Sequence, residues 1–159
     1  MARKGGLTPL WSDRDVERWF DYFVDRAEER IYKLLQRAGE EFVKIARKKG
    51  NYQDRTGNLR SSIGYVIVKD GDILTENHEQ STEGTDNQTG IREAKRLVSE
   101  LILLYKKGWV LIGVAAMPYA VYVEAINNLD VISVATEHTE DWIRKQSKTL
   151  FDKLAEKGY

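Results

Sequence analysis

Between Asp13 and Lys49 the apolar residues recur three and four apart, at Val16, Trp19, Phe20, Phe23, Val24, Ala27, Ile31, Leu34, Leu35, Ala38, Phe42 and Ile45. That spacing gathers them on one stripe of an amphipathic helix. Ser12 stands at the N-cap position, and Asp13 and Asp15 fall in the first turn. Arg47, Lys48 and Lys49 fall in the last, so both ends complement the helix dipole. Gly50-Asn51 supplies the stop, and Gly39 is the place where a bend or break is expected. A helix of this length projects from a small domain or packs on a partner along its length.

Turn-forming residues fill 50–58, and a β-branched and aromatic run follows with Ile63, Tyr65, Val66, Ile67 and Val68. Asp70-Gly71-Asp72 is a hairpin signal, and Ile73-Leu74-Thr75 opens a return strand. Residues 77–89 carry almost no apolar side chain and read as a mobile polar loop. Helical spacing resumes at Ile91, Ala94, Leu97, Val98, Leu101, Ile102 and Tyr105, with Thr89 as cap and Lys106-Lys107-Gly108 as the end. A buried-type strand follows over 109–114. The apolar segment 119–126 fits a strand or a short helix begun by Pro118 equally. The last helix is expected from about residue 130 to 157, with Val131, Val134, His138, Trp142, Leu150, Phe151 and Leu154 near one face. This order predicts an α+β domain: a long N-terminal helix, a small mainly antiparallel sheet, a middle helix and a long C-terminal helix. One domain is expected over residues 1–159, with a flexible N-terminus over 1–11.

Composition narrows the function. A chain of 159 residues buries about two-thirds of the surface exposed by its unfolded form. Lys and Arg number 25 and Asp and Glu 25, so the formal net charge is zero. A dedicated nucleic-acid binder usually carries a basic excess, whereas low net charge weakens self-repulsion and suits association. The absence of cysteine excludes disulfides, thiolate zinc sites and cysteine nucleophiles, and fits a reducing compartment. The basic residues Arg3 and Lys4 have no apolar run behind them, and no stretch approaches the roughly 20 apolar residues of a membrane span. A soluble protein with no signal peptide and no membrane association is expected.

Candidate chemistry is sparse. His78, among Glu76, Glu79 and Glu83, reads as a solvated loop residue rather than a metal ligand. His138, one turn before Trp142, reads as a half-buried packing histidine. No phosphate loop, HExxH pair or GxSxG elbow occurs. No catalytic, metal or cofactor-binding residue is therefore assigned, and no enzyme is expected. Trp11, Trp19, Phe20, Tyr22 and Phe23 crowd the start of the first helix. They read as core, or in part as a protein interface, since aromatic anchors dominate interface hot spots. Trp11 and Tyr22 are the interface candidates; Tyr22 lies off the apolar stripe. Lys44, Arg47, Lys48, Lys49, Arg55 and Arg60 form a local basic stretch, read as a solvated helix end or as a contact for acidic partners or DNA.

The segment Asp54-Arg55-Thr56-Gly57-Asn58-Leu59-Arg60-Ser61-Ser62-Ile63 reads physically as a capped turn entering a strand. Thr56 caps, Gly57 opens left-handed backbone, Leu59 and Ile63 face the core, and Arg55 and Arg60 point outward. Followed later by Tyr119-Ala120-Val121-Tyr122-Val123-Glu124, it resembles the tail-completion, or minor tail-component, proteins of lambda-like siphophages. The likeness runs from about residue 12 onward. After Glu124 it departs: Ala125-Ile126-Asn127-Asn128 stands where many members carry Phe-Gly-Thr. The resemblance implies a non-catalytic virion protein made in the host cytoplasm and acting in tail completion or head–tail joining. It implies multiple copies around the DNA channel, other neck or tail proteins as partners, contact with passing DNA, and no cofactor. The motif residues Asp54, Arg55, Thr56, Gly57, Leu59, Arg60, Ile63, Tyr119, Tyr122 and Glu124 would then serve the family fold or the subunit interface. The rival readings are a nucleic-acid-binding adaptor and a small carboxylate-dependent nuclease using Asp54, Glu124 and Glu140.

Overall fold

The N-terminal helix is one unbroken element, α1, over Asp13–Lys49 in the computed structural model of the chain, which describes residues 10–49, 56–82, 84–86, 88–117 and 132–156. Its start is a reciprocal cap. Asp15 N–H donates to Ser12 Oγ at 3.3 Å, and Ser12 N–H donates to the Asp15 carboxylate at 3.0 Å. Side-chain and backbone bonds from Ser12 hold the Asp15 carboxyl below its ordinary range. Gly39 neither bends nor divides the helix. A Cβ there would overlap the ring of Tyr65, so glycine lets the aromatic ring lie against the helix.

A short helix α2 (Asn58–Ser62) leads into β1 (Ile63–Lys69), which turns back into β2 (Asp72–His78). Asp70 and Gly71, with φ of 53° and 91°, form the two-residue turn that Asp-Gly favours. The register slips between Ile67 and Val68. Helix α3 (Gln88–Ile102) then crosses to β3 (Trp109–Ala115), which pairs antiparallel with the other edge of β1. The strand order is β2-β1-β3. Asp70 and the turn before β3 are tied together, since Asp70 N–H donates to Gly108 O and Gly108 N–H donates to Asp70 Oδ1. The last helix, α4 (Ser133–Glu156), runs antiparallel to α1. Thr136 and Thr139 lie near Gly39 and Phe42, while Leu154 lies near Trp19 and Phe23.

The α+β class and its elements are as the sequence predicts. Period-two alternation divides β1 between two cores. Ile63, Tyr65 and Ile67 meet Leu35, Phe42, Val43 and Ala46 of α1 and Ala135 of α4. Val66 and Val68 meet Ala94 and Val98 of α3 and Ile112 and Val114 of β3. The result is three layers, with α1 and α4 on one face of the sheet and α3 on the other.

Several expectations need correction. The polar loop expected over 77–89 is shorter, because Asn77 and His78 belong to β2 and Gln88 and Thr89 to α3. What lies between is fastened: Arg47 donates to Glu79 Oε2 and Glu79 O, and Ser81 N–H donates to Ser61 Oγ. His78 is no solvated loop residue, since its side chain is 2% exposed. His138 is exposed rather than half-buried. Helix α3 ends at Ile102, before Lys106-Lys107-Gly108. The N-terminal segment 1–9 and the segment 119–124 lie outside the described residues.

Candidate functional site

Two features concentrate the residues singled out by sequence. The first is the motif turn. Gly57 takes φ 79°, Thr56 Oγ1 accepts from Asn58 N–H at 3.3 Å, and Leu59 and Ile63 are 1% and 0% exposed in one core. The left-handed Gly57 and the buried Leu59 and Ile63 follow the sequence reading; the N-cap of α2 is Gly57, not Thr56, and no side chain caps it. Arg60 does not simply point outward: it is half-buried, and its Nε is shielded from solvent. Asp54 and Arg55 lie outside the described residues.

Three side chains in and around the turn do work that the pattern did not reveal. Asn58 Oδ1 accepts from Gly90 N–H at 2.9 Å, satisfying a buried first-turn donor of α3 from a different helix. Ser61, wholly buried, donates to Gly57 O at 2.7 Å and accepts from Ser81 N–H at 2.8 Å. Arg47 donates to Ile63 O at 2.9 Å besides holding Glu79, so it is a clamp and not a solvated helix end. Gly84, at φ 102°, brings its backbone against Thr56 and Gly57 so closely that a Cβ would collide with them. Asp86 bonds to Thr89 and to Asn58, and both hold its carboxyl below the ordinary range. The motif turn is thus the knot at which α1, α2, β1, the 79–86 segment and α3 meet.

The second feature is an arm. Glu28 pairs with Lys69, and the Tyr32 hydroxyl hydrogen-bonds Thr75 Oγ1 at 2.6 Å. Residues 13–27 lie N-terminal of these anchors and pack beside the end of α4, where Leu154 is buried. The aromatic cluster read as core or interface is largely outside: Trp11 is 65%, Trp19 51%, Phe20 55% and Tyr22 54% exposed. Phe23 is half-buried. Trp19 stacks on Phe23 with centroids 5.9 Å apart and meets Phe20 edge-on at 5.3 Å. Tyr22 accepts from Arg26, whose guanidinium also lies 5.5 Å from the ring centroid. Leu10, Val24 and, on α4, Phe151 extend the apolar surface. Exposed aromatics of this kind are enriched at the hot spots of protein–protein contacts.

C-terminal of the arm, α1 and α4 enclose an open groove of about 250 Å³. Leu34, Trp142 and Leu150 supply its apolar surface, and Arg30, Lys33, Arg37 and Lys153 its charge. Among the described residues no His, Asp or Glu group could hold a metal ion. The structure does not join the two halves of the family-like motif, because Tyr119, Tyr122 and Glu124 lie outside the described residues. Among the described residues no helix is long and apolar enough to cross a membrane. Comparison of the chain with known protein families, with curated proteins and with solved structures gave no match.

Proposed function

We propose that this chain is a non-catalytic virion assembly protein acting in tail completion or head–tail joining of a siphophage, in multiple copies around the DNA channel. One observation carries the reading from geometry: a projecting arm whose exposed aromatics, Trp11, Trp19, Phe20 and Tyr22, present an anchor surface to another protein. The motif turn and the 119–124 stretch direct that general reading toward phage tails through the resemblance. Other neck or tail proteins, and further copies of the chain, are the partners. Its place of action is the virion.

Two observations test this. Genes for portal, capsid, head closure and tail tube are expected beside the coding gene, and a metabolic neighbourhood would sink the reading. Particles made without the chain are expected, by electron microscopy, to show filled heads and unjoined or incomplete tails. Normal infectious particles would overturn it.

The basic groove favours one second reading, a contact with nucleic acid at Arg30, Lys33, Arg37 and Lys153. That contact predicts DNA binding that weakens steeply with added salt.

A further inference from the structure

The charge on α1 is divided by position. Between Asp13 and Glu29 there are seven carboxylates and three arginines; between Arg30 and Lys49 there are seven basic residues and two carboxylates. The helix dipole accounts only for the terminal turns, because its influence fades within one turn. Asp21, Asp25, Lys33 and Arg37 are too far inside for that explanation.

Within the chain the two halves neutralise each other only in part, chiefly at Glu29. Among the described residues Asp13, Glu17, Asp21 and Asp25 make no salt bridge, and neither do Arg30, Arg37 and Lys153. Lys33 pairs with Glu29 one turn away, an exposed helical pair of small energetic worth. The acidic half also carries the exposed aromatics, and the basic half borders a groove with apolar Leu34, Trp142 and Leu150. Each half offers what the other lacks: acidic and apolar on one, basic and apolar on the other.

From this complementarity we infer that the arm tip of one copy docks in the α1–α4 groove of a second copy. Phe20 and Val24 cover the apolar side chains of the groove, and Glu17 and Asp21, on the same face of α1, meet Arg30, Arg37 and Lys153. The two patches are different surfaces of the same subunit, so the contact is head to tail and leaves one tip and one groove open after each addition. A tip-to-tip dimer would set like charges against each other, which is unfavourable. The inference deepens the assembly reading by naming the partner surface, and the contact itself can be measured on the isolated chain.

The absence of cysteine makes a direct test simple. Arg14→Cys places a single thiol at the exposed tip, Gln146→Cys one beside the groove, and Ser99→Cys a control on α3. Circular dichroism checks each fold, and the full-length variants are mixed in pairs under mild oxidation. The tip–groove mixture is expected to give disulfide-linked heterodimer at least about tenfold above the tip–control mixture. Adding Lys33→Glu and Arg37→Glu to the groove partner should return the yield to the control level. Three results would overturn the inference: a heterodimer yield equal to control, tip variants linking to each other as readily as to the groove, or indifference to the charge reversal. Any of them removes the arm-in-groove contact while leaving the gene-order and microscopy tests of the assembly reading to decide for themselves.

Discussion

At the scale of single residues the decisive groups are polar and buried. His78 sits opposite Gly64 in the β1–β2 ladder, its ring filling the space that a Cβ on Gly64 would need. Burial holds the imidazole below its usual range; Glu76 works against that shift, while Lys95 and Arg47 add to it. The unfolded chain therefore takes up a proton more readily than the folded one. The stabilisation is present above about pH 6.5, the ordinary histidine value, and is lost as pH falls through the depressed folded value. Thermal unfolding midpoints are expected to fall between about pH 7 and 5, and His78→Gln should flatten that slope. Ser61→Ala removes the buried hydroxyl's bonds to Gly57 O and Ser81 N–H and should cost about 1–3 kcal/mol in a urea titration. Asn58→Ala leaves the buried Gly90 N–H in the first turn of α3 without its acceptor and should cost about 1–2 kcal/mol in the same titration. Part of this scale was legible beforehand. The four-residue step from Leu59 to Ile63 and the left-handed Gly57 describe the turn correctly, because local spacing and backbone preference govern them. The roles of Asn58, Arg47 and His78 were not legible, because their partners come from segments distant in sequence.

At the scale of elements, periodicity and turn chemistry sufficed where one helix face or one hairpin settled the outcome. The three-four spacing located α1, and Asp70-Gly71 located the β1–β2 turn. Two failures share a cause. Helix propensity at Gly39 was overridden by the packing of Tyr65, and the polar composition of 77–89 was overridden by side-chain bonds from α1 and α2. Gly39→Val should therefore lower the unfolding free energy by about 1–3 kcal/mol in a urea titration, although glycine itself carries an entropic penalty inside a helix. The arm has no sheet beneath it and leans on α4, chiefly through Leu154. An isolated helix of its length is marginal in water. A chain ending at Lys145 should exchange the amide hydrogens of residues 16–27 markedly faster, with β1 still protected, in a hydrogen-exchange measurement. Equal protection of the two segments would show that the arm holds itself.

At the scale of the whole molecule, β1 is the common wall of both cores, and each face of the sheet is covered by helix. The alternation along β1, apolar on both faces, announces a strand buried on two sides. Which helix covers which face follows from the α3 crossover and was not readable from pattern alone. The candidate surface was half legible: the aromatics were visible in sequence, but their exposure depends on α1 outrunning the sheet. A zero net charge that is unevenly placed predicts self-association strongest at low ionic strength. Sedimentation velocity should show mass rising with concentration at about 0.05 M salt and falling toward monomer at about 0.5 M, where screening is within a few ångströms. Residues 13–27 extend about 22 Å beyond the anchors at Glu28 and Tyr32, at about 1.5 Å per residue. An arm of that reach acts as a lever: a tilt of about 10° at its root moves the tip by about 4 Å. Copies joined tip to groove could thus close rings of slightly different circumference by small changes of angle at the root, with the same side chains meeting at every joint.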